Sequence, residues 1–362
     1  MSEPYLYIGL MSGTSMDGID AALVDFSSAT PSVVKTASIN WSPTLKEKLS
    51  TVATGGFLTS NQWGALDSEI GQAFADAAIE VSQGVKAIAA IGSHGQTVAH
   101  QPKGTHGFSV QLGNANIIAE KTGITTEADF RRRDIAAGGQ GAPLVPPFHA
   151  AFFGNKEKHR VILNIGGIAN ITSLPSSGNN IIGFDTGPGN HLMDKWISLH
   201  QGASFDKEGQ WASAGTVIPD LLKQLLSDNY FSQAAPKSTG TDIFSLHWLN
   251  QHSPNGTPKD VMATLLELTA QSIVVGIQSL SKPVDEVFVC GGGVHNNALM
   301  QRLAELLNVP VSSTAKLGVD PDWVEAIAFA WLAKQTMEQQ PGNLSSVTGA
   351  SGQRILGAIY QA

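Results

Sequence analysis

Cysteine is almost absent from this 362-residue chain. Cys290 is the only one, which excludes an intrachain disulfide and a cysteine-based zinc cluster and suits a reducing compartment. Between Val289 and Gly291 it reads as a small buried hydrophobe rather than a nucleophile. Charge is sparse, 14% of residues, and sums to −8. Nothing therefore draws the whole chain to nucleic acid or an anionic bilayer, and any phosphate must be held by backbone donors or single basic residues. No uninterrupted apolar run reaches the ~18 residues that would span a bilayer. The opening Met1-Ser-Glu-Pro4 leads into a strand-like run without the basic and apolar segments of a signal peptide, so the expected location is the cytoplasm. The familiar fingerprints are missing too. There is no Gly-Lys pair for a P-loop, no GxGxxG after a strand, no HExxH helix and no GxSxG elbow, which removes the easiest nucleotide-binding and hydrolase readings.

What is present is glycine in particular places. Three glycine-rich turns, Gly9-Leu-Met-Ser-Gly-Thr-Ser-Met-Asp-Gly18, Asn164-Ile-Gly-Gly-Ile-Ala-Asn-Ile-Thr172 and Cys290-Gly-Gly-Gly-Val-His-Asn296, each leave an apolar run that reads as a buried strand. Successive backbone N–H groups in such turns make a concavity suited to phosphate oxygens. The first tip adds the hydroxyls of Ser12, Thr14 and Ser15 and the carboxylate of Asp17, a set able to hold phosphates and Mg²⁺. Taken alone it is as readily a decorated β-turn. The second, Gly166-Gly167 to Asn170, gains weight as its partner across a cleft. The triple glycine Gly291, Gly292 and Gly293, ahead of Asn296 and a helix, is hard to justify by packing and faces phosphate or nucleoside. Asp185 is expected at the end of a strand, where a carboxylate opens toward ligands and acts as a general base. A turn-capping role is the alternative.

The pattern predicts strands over 5–11, 19–26 and 33–39, helices over 43–53 and 61–82, the latter carrying Trp63, Leu66, Ile70, Phe74 and Ala77, and a short strand over 87–91 ending in a loop that holds His94, Gln96 and Thr97. A helix over 114–121 stops at Gly123. The segment 129–143, with Arg131, Arg132 and Arg133, is the expected hinge, and a strand–tip–strand over 160–174 repeats the opening about one domain length later, as duplication would give. Helices and strands then alternate, with Asn190 capping a helix and a long helix over 259–280, and end in a helix over 323–337 and a strand within 354–360. This is an α/β chain with sheets flanked by helices. The expected domains are 1–130 with about 345–362, and 131–344.

Taken together, Ile8 to Asp20, Ser93 to Thr97, Asp129 to Arg131, Asn164 to Asn170, Phe184 to Asn190, Cys290 to Asn296 and Glu325 to Ala330 resemble the bacterial anhydro-N-acetylmuramic acid kinases over essentially the full length. The resemblance implies the two-domain actin-like ATPase (ribonuclease H-like) fold of sugar kinases, chaperone ATPases and actin, with a nucleotide cleft between the domains. It implies a homodimer acting on 1,6-anhydro-N-acetylmuramic acid in peptidoglycan recycling. By it, Gly13, Thr14, Ser15, Met16, Asp17, Gly18, Ile19 and Asp20 form the ATP-phosphate loop, with Asp17 on Mg²⁺, and Asp185 is the catalytic base. Gln96, Thr97, Arg131 and Glu325 are assigned to the sugar pocket, Arg131 opposite the lactyl carboxylate. Two other readings stand beside it: a kinase for another sugar or a carboxylate, and an ATP-driven binding protein with no sugar chemistry.

Overall fold

The computed structural model describes residues 5–13, 16–53, 55–235 and 237–362. Thr14 and Ser15 lie outside them. The chain forms two compact units, one made of residues up to Phe152 together with Trp323–Ala362, the other of Phe153–Asp322.

In the first unit, β1 (Leu6–Ser12), β2 (Gly18–Asp25) and β3 (Ser32–Asn40) run as an antiparallel meander. β4 (Ile88–Gln101) lies parallel to β1, β5 (Phe108–Leu112) folds back on β4, β6 (Thr126–Ala128) runs parallel to β4, and the C-terminal strand Ala358–Tyr360 pairs antiparallel with β6. In the second unit, β7 (Arg160–Ile165), β8 (Ile168–Leu174) and β9 (Ile182–Pro188) are again an antiparallel meander, and β10 (Glu286–Cys290) and β11 (Val311–Ser313) continue it in parallel from β7. In both sheets the first four strands thus run third–second–first–fourth, continued by β11 in the second unit and by β6 in the first, where β5 folds back on β4, the repeated ribonuclease H-like arrangement of the actin-like ATPase fold.

Each sheet is covered because its helices carry apolar faces that need burial. On one face of the first sheet, Leu66, Ile70, Phe74 and Ala78 of helix Ser60–Ser82 meet Ile8, Leu10, Ile19 and Leu23. Trp63, expected on that stripe, is 37% exposed. On the other face sits helix Val324–Met337, buried on every side from Ala326 to Ala333. Gly9 and Gly92, neighbours in register on β1 and β4, make its seat. A Cβ on either would collide with the carbonyl of Ala326 or Phe329, so only glycine lets the helix backbone settle on the sheet. In the second unit the counterpart is Pro258–Gln278, N-capped by Thr257. Its length and composition would suit a membrane span, but 83% of that window is buried inside the unit.

The fold differs from the sequence reading in three places. Residues 92–97 are strand, not loop: β4 runs on to Gln101 and forms a hairpin with the unexpected β5. Residues 131–152 and 323–344, assigned to the second domain, pack with the first. The chain passes between units at 152–153 and 322–323, rather than in the segment 129–143. That segment is fastened by buried Asp134, whose carboxylate accepts from Gly141 N–H at 2.8 Å, Asn343 Nδ2 at 2.6 Å and Thr348 Oγ1 at 2.8 Å.

Candidate active site

In the second unit the central group is Asp185. It lies inside β9 rather than at its end, opposite Asn170 of β8 and next to a register shift, because pairing with β8 continues to Pro188. Carboxylate Oδ2 accepts from Thr239 N–H at 2.9 Å, and the other oxygen makes no hydrogen bond among the described residues. Burial pushes the carboxyl up to about 6, opposed by the Thr239 bond. A carboxylate poised there is a competent proton acceptor near neutral pH. Thr239 Oγ1 beside it is buried and without a partner among the described residues.

The tip Gly166-Gly167 is stitched to the helix that follows β9. Gly167 O accepts from the N–H of Gly189 at 2.9 Å and of His191 at 3.2 Å, and Gly166 O from that of Asn190 at 2.8 Å. Neither glycine is crowded. A Cβ on Gly166 would meet its nearest neighbour at 3.7 Å, on Gly167 at 3.4 Å, so the fold itself does not demand glycine there. Asn190, expected to cap the helix with its side chain, instead donates to Ile165 O at 3.2 Å. The triple glycine is two-thirds structural, contrary to expectation. Gly291 has φ +78° and faces Asn164 Oδ1, and a Cβ on Gly293 would strike Ile165, whereas at Gly292 the nearest atom would be Asn190 Nδ2, 3.9 Å away. Gly292 is exposed. Asn296 is buried and spends its oxygen capping Leu299 N–H at 3.0 Å.

In the first unit, Ser12 and Gln96 close the β1–β2 tip. Buried Ser12 Oγ lies 2.6 Å from Gly18 O and 2.7 Å from Gln96 Oε1, and Gln96 Nε2 donates to Gly13 O at 3.2 Å and Thr97 O at 3.1 Å. Gln96 is wholly buried, so its amide braces the tip. Thr97 is half-buried and accepts from Gln111 Nε2 at 3.1 Å. Met16 stands at φ +53°. Ile19 fills the core, leaving only its backbone on offer. Asp17 is exposed and pairs with Lys46 at 3.0 Å.

Arg131 donates through Nε and Nη2 to His94 Nε2, at 3.2 and 2.7 Å, and through Nη1 to Gly141 O at 2.7 Å. Burial and then the Arg131 charge hold His94 well below its ordinary value, so it is the neutral acceptor this geometry needs. Burial brings Arg131 down to about 10, opposed by Glu325. Glu325, in the first turn of helix Val324–Met337, is raised by burial and by Asp20, with Arg131 opposing. Asp20, assigned to the phosphate loop, and Arg131 and Glu325, assigned to the sugar pocket, are therefore electrostatic neighbours, while Asp17 pairs with Lys46.

Sequence reasoning missed Ser12 as the partner of Gln96, and Tyr230, Lys237 and Thr239 around Asp185. The run Lys237-Ser-Thr-Gly-Thr241, rich in hydroxyls and containing a glycine, was the available signal.

The model of the family described as anhydro-N-acetylmuramic acid kinase matches residues 5–362. The chain belongs to the anhydro-N-acetylmuramic acid kinase family. Curated members include the enzyme of Pasteurella multocida, 49% identical with 98% of this chain and 96% of that protein covered. The enzyme of Shewanella frigidimarina is 50% identical over the whole of both chains. Among solved structures, a ROK family glucokinase from Streptomyces griseus in complex with glucose and AMPPNP has a TM-score of 0.44 and 14% identity, covering 91% of this chain and 99% of that one. Family membership makes the chain a sugar kinase, a phosphotransferase that uses ATP.

Proposed function

We propose that this kinase opens 1,6-anhydro-N-acetylmuramic acid with water and phosphorylates O6, with Asp185 as the base. Water attacks C1 as Asp185 takes its proton. The C1–O6 bond breaks, O6 bonds to the γ-phosphorus of ATP, and ADP leaves, giving N-acetylmuramic acid 6-phosphate. The observation that carries the reading is the Asp185 carboxylate itself. One oxygen is fixed by Thr239 N–H, the other has no hydrogen-bond partner among the described residues, and burial raises the carboxyl to about 6.

The uncrowded Gly166-Gly167 tip and exposed Gly292 support backbone contacts with the nucleotide, together with residues Gly13 to Asp20, of which Thr14 and Ser15 lie outside the described residues. The Arg131 guanidinium, with Glu325 and Thr97 as further sugar contacts, supports a site for an anionic sugar. In-line transfer asks mainly for positioning and charge stabilisation. Mg²⁺ binds through one or two carboxylates plus phosphates rather than an all-protein cage. Asp17 fits as one such ligand because its ion pair with Lys46 is exposed and readily exchanged. The ion, when bound, neutralises charge on the β- and γ-phosphates.

The enzyme is placed in the cytoplasm, in peptidoglycan recycling, as a homodimer without nucleic-acid or membrane partners. The net charge of −8 supports the last point, and Leu199 and Phe205, 64% and 61% exposed on the isolated chain, support an apolar contact between copies. Light scattering at micromolar concentration gives twice the chain mass if so.

Replacing Asp185 by Asn keeps shape and removes basicity, and kcat is expected to fall roughly 10³-fold with ATP binding kept. Retained turnover contradicts the role. In ¹⁸O water the label enters the sugar at C1, and its absence there sinks the coupled mechanism. Because the carboxyl is raised to about 6, kcat/KM climbs as pH rises through 6 and is level above 7.

A further inference from the structure

We infer that Lys237 and Tyr230 are positioning residues that hold Asp185 in its working orientation, an inference resting on the base role just proposed. β9 is the edge strand of its sheet, so on its free side the backbone groups of Asp185 need partners outside the sheet. They find them in a closed circuit of three residues. Asp185 N–H donates to Lys237 O at 3.1 Å, Lys237 Nζ to Tyr230 O at 3.0 Å, and the Tyr230 hydroxyl to Asp185 O at 2.7 Å.

The same lysine donates to Phe231 O at 3.3 Å and sits 4.6 Å from the centre of the Tyr230 ring. It makes no ion pair among the described residues. Its charge is instead satisfied by two carbonyls in the last turn of the short helix Asn229–Ser232 and by an aromatic face, where a cation is favourably placed. This spends a half-buried ammonium on fastening backbone to backbone. What it fastens is the strap 237–239, and the far end of that strap is Thr239, whose N–H grips Asp185 Oδ2. Lys237 and Tyr230 thus fix the carboxylate through main chain on both sides, without touching it.

A loosened strap weakens the Thr239 bond, which favours the charged carboxylate, so the acidic limb of the rate profile moves upward. The titratable groups of the strap and its helix that face Asp185 are Tyr230 and Lys237. β8 sets Asn170 opposite it, and helix Pro258–Gln278 approaches β9 through Ser272 and Gly276, none of them ionisable in this range.

The test measures steady-state kinetics of the full chain with ATP, Mg²⁺ and 1,6-anhydro-N-acetylmuramic acid across pH, for Lys237→Met, Lys237→Arg, Tyr230→Phe and Asp185→Asn. Lys237→Met is expected to lower kcat roughly tenfold with the KM for ATP unchanged and to move the acidic limb up. Lys237→Arg restores most of the rate, and Tyr230→Phe, which keeps the ring under the ammonium, gives a smaller loss of the same kind. If Lys237→Met melts earlier but keeps its kcat and limb when assayed well below its midpoint, the clasp is only structural and the inference fails. Should Lys237→Met not fold, a wild-type rate and limb in Tyr230→Phe overturns it equally. Activity in Asp185→Asn would instead overturn the base role and leave the clasp without a purpose.

Discussion

The two units share one strand order and fasten their corresponding tips by different means. In the first, a side chain does it: buried Gln96, on the neighbouring strand, reaches Ser12, Gly13 and Thr97. In the second, main-chain N–H groups of Gly189, Asn190 and His191 hold the carbonyls of Gly166 and Gly167. Duplicated topology therefore does not duplicate the wiring. A tip braced by a side chain is fragile to substitution, and one braced by backbone is fragile only where a Cβ would intrude.

The largest expected loss of stability tests that contrast directly. Gln96→Leu removes the amide donor from the carbonyls of Gly13 and Thr97 and leaves the Ser12 hydroxyl only Gly18 O, which should cost roughly 3 kcal/mol, whereas Asn190→Ala, removing one bond to Ile165 O, should cost about 1 kcal/mol. Equal shifts in denaturant midpoint would erase the distinction.

The units also differ in how they bury a carboxyl. Asp185 has an N–H partner and rises to about 6, while Glu127 on β6, wholly buried with neither oxygen bonded among the described residues, rises to about 8. A carboxyl raised in the fold contributes its stability fully below the unfolded value near 4.5 and loses it as pH climbs through 8, because the unfolded chain releases the proton first. Glu127→Gln should remove this slope and leave the variant on the order of 4 kcal/mol more stable than the parent at pH 8. Parallel stability–pH curves would mean that Glu127 has a partner after all.

The smallest effects separate the three glycines after β10. Gly293→Ala meets Ile165 and should cost roughly 1–2 kcal/mol of stability. Gly292→Ala should move stability by under about 0.5 kcal/mol yet raise the KM for ATP. If Gly292→Ala leaves that KM unchanged, the nucleotide contact is misplaced.

Much of this was legible in the chain. The strand–tip–strand repeats, the helix after β10 and the strand β10 itself came from apolar periodicity and glycine punctuation, which local physics dictates. The β4–β5 hairpin did not, because His94 and Gln96 are polar yet buried, and the partners that make that tolerable, Arg131 for His94 and Ser12 for Gln96, lie far along the chain. The helix over 323–337 was expected, but nothing local to Val324–Met337 says which sheet it covers. That choice was written in Gly9 and Gly92, two glycines 83 residues apart in sequence whose shared purpose emerges only once β1 and β4 lie side by side. Asp185 was found from its motif, whereas its clasp, 45 and 52 residues downstream, has no local signature.

The interrupted path of the first unit bears on how the chain is born. Residues Phe153–Asp322 form one contiguous stretch, so the ribosome delivers all of it before the helix that completes the older half has been translated. Until Val324–Met337 arrives, the glycine seat on β1 and β4 stays bare, and the earliest-made sheet must wait for a helix made after the whole second unit. Emergence of residues 323–362, not of the first 150, is then the event that completes the first unit.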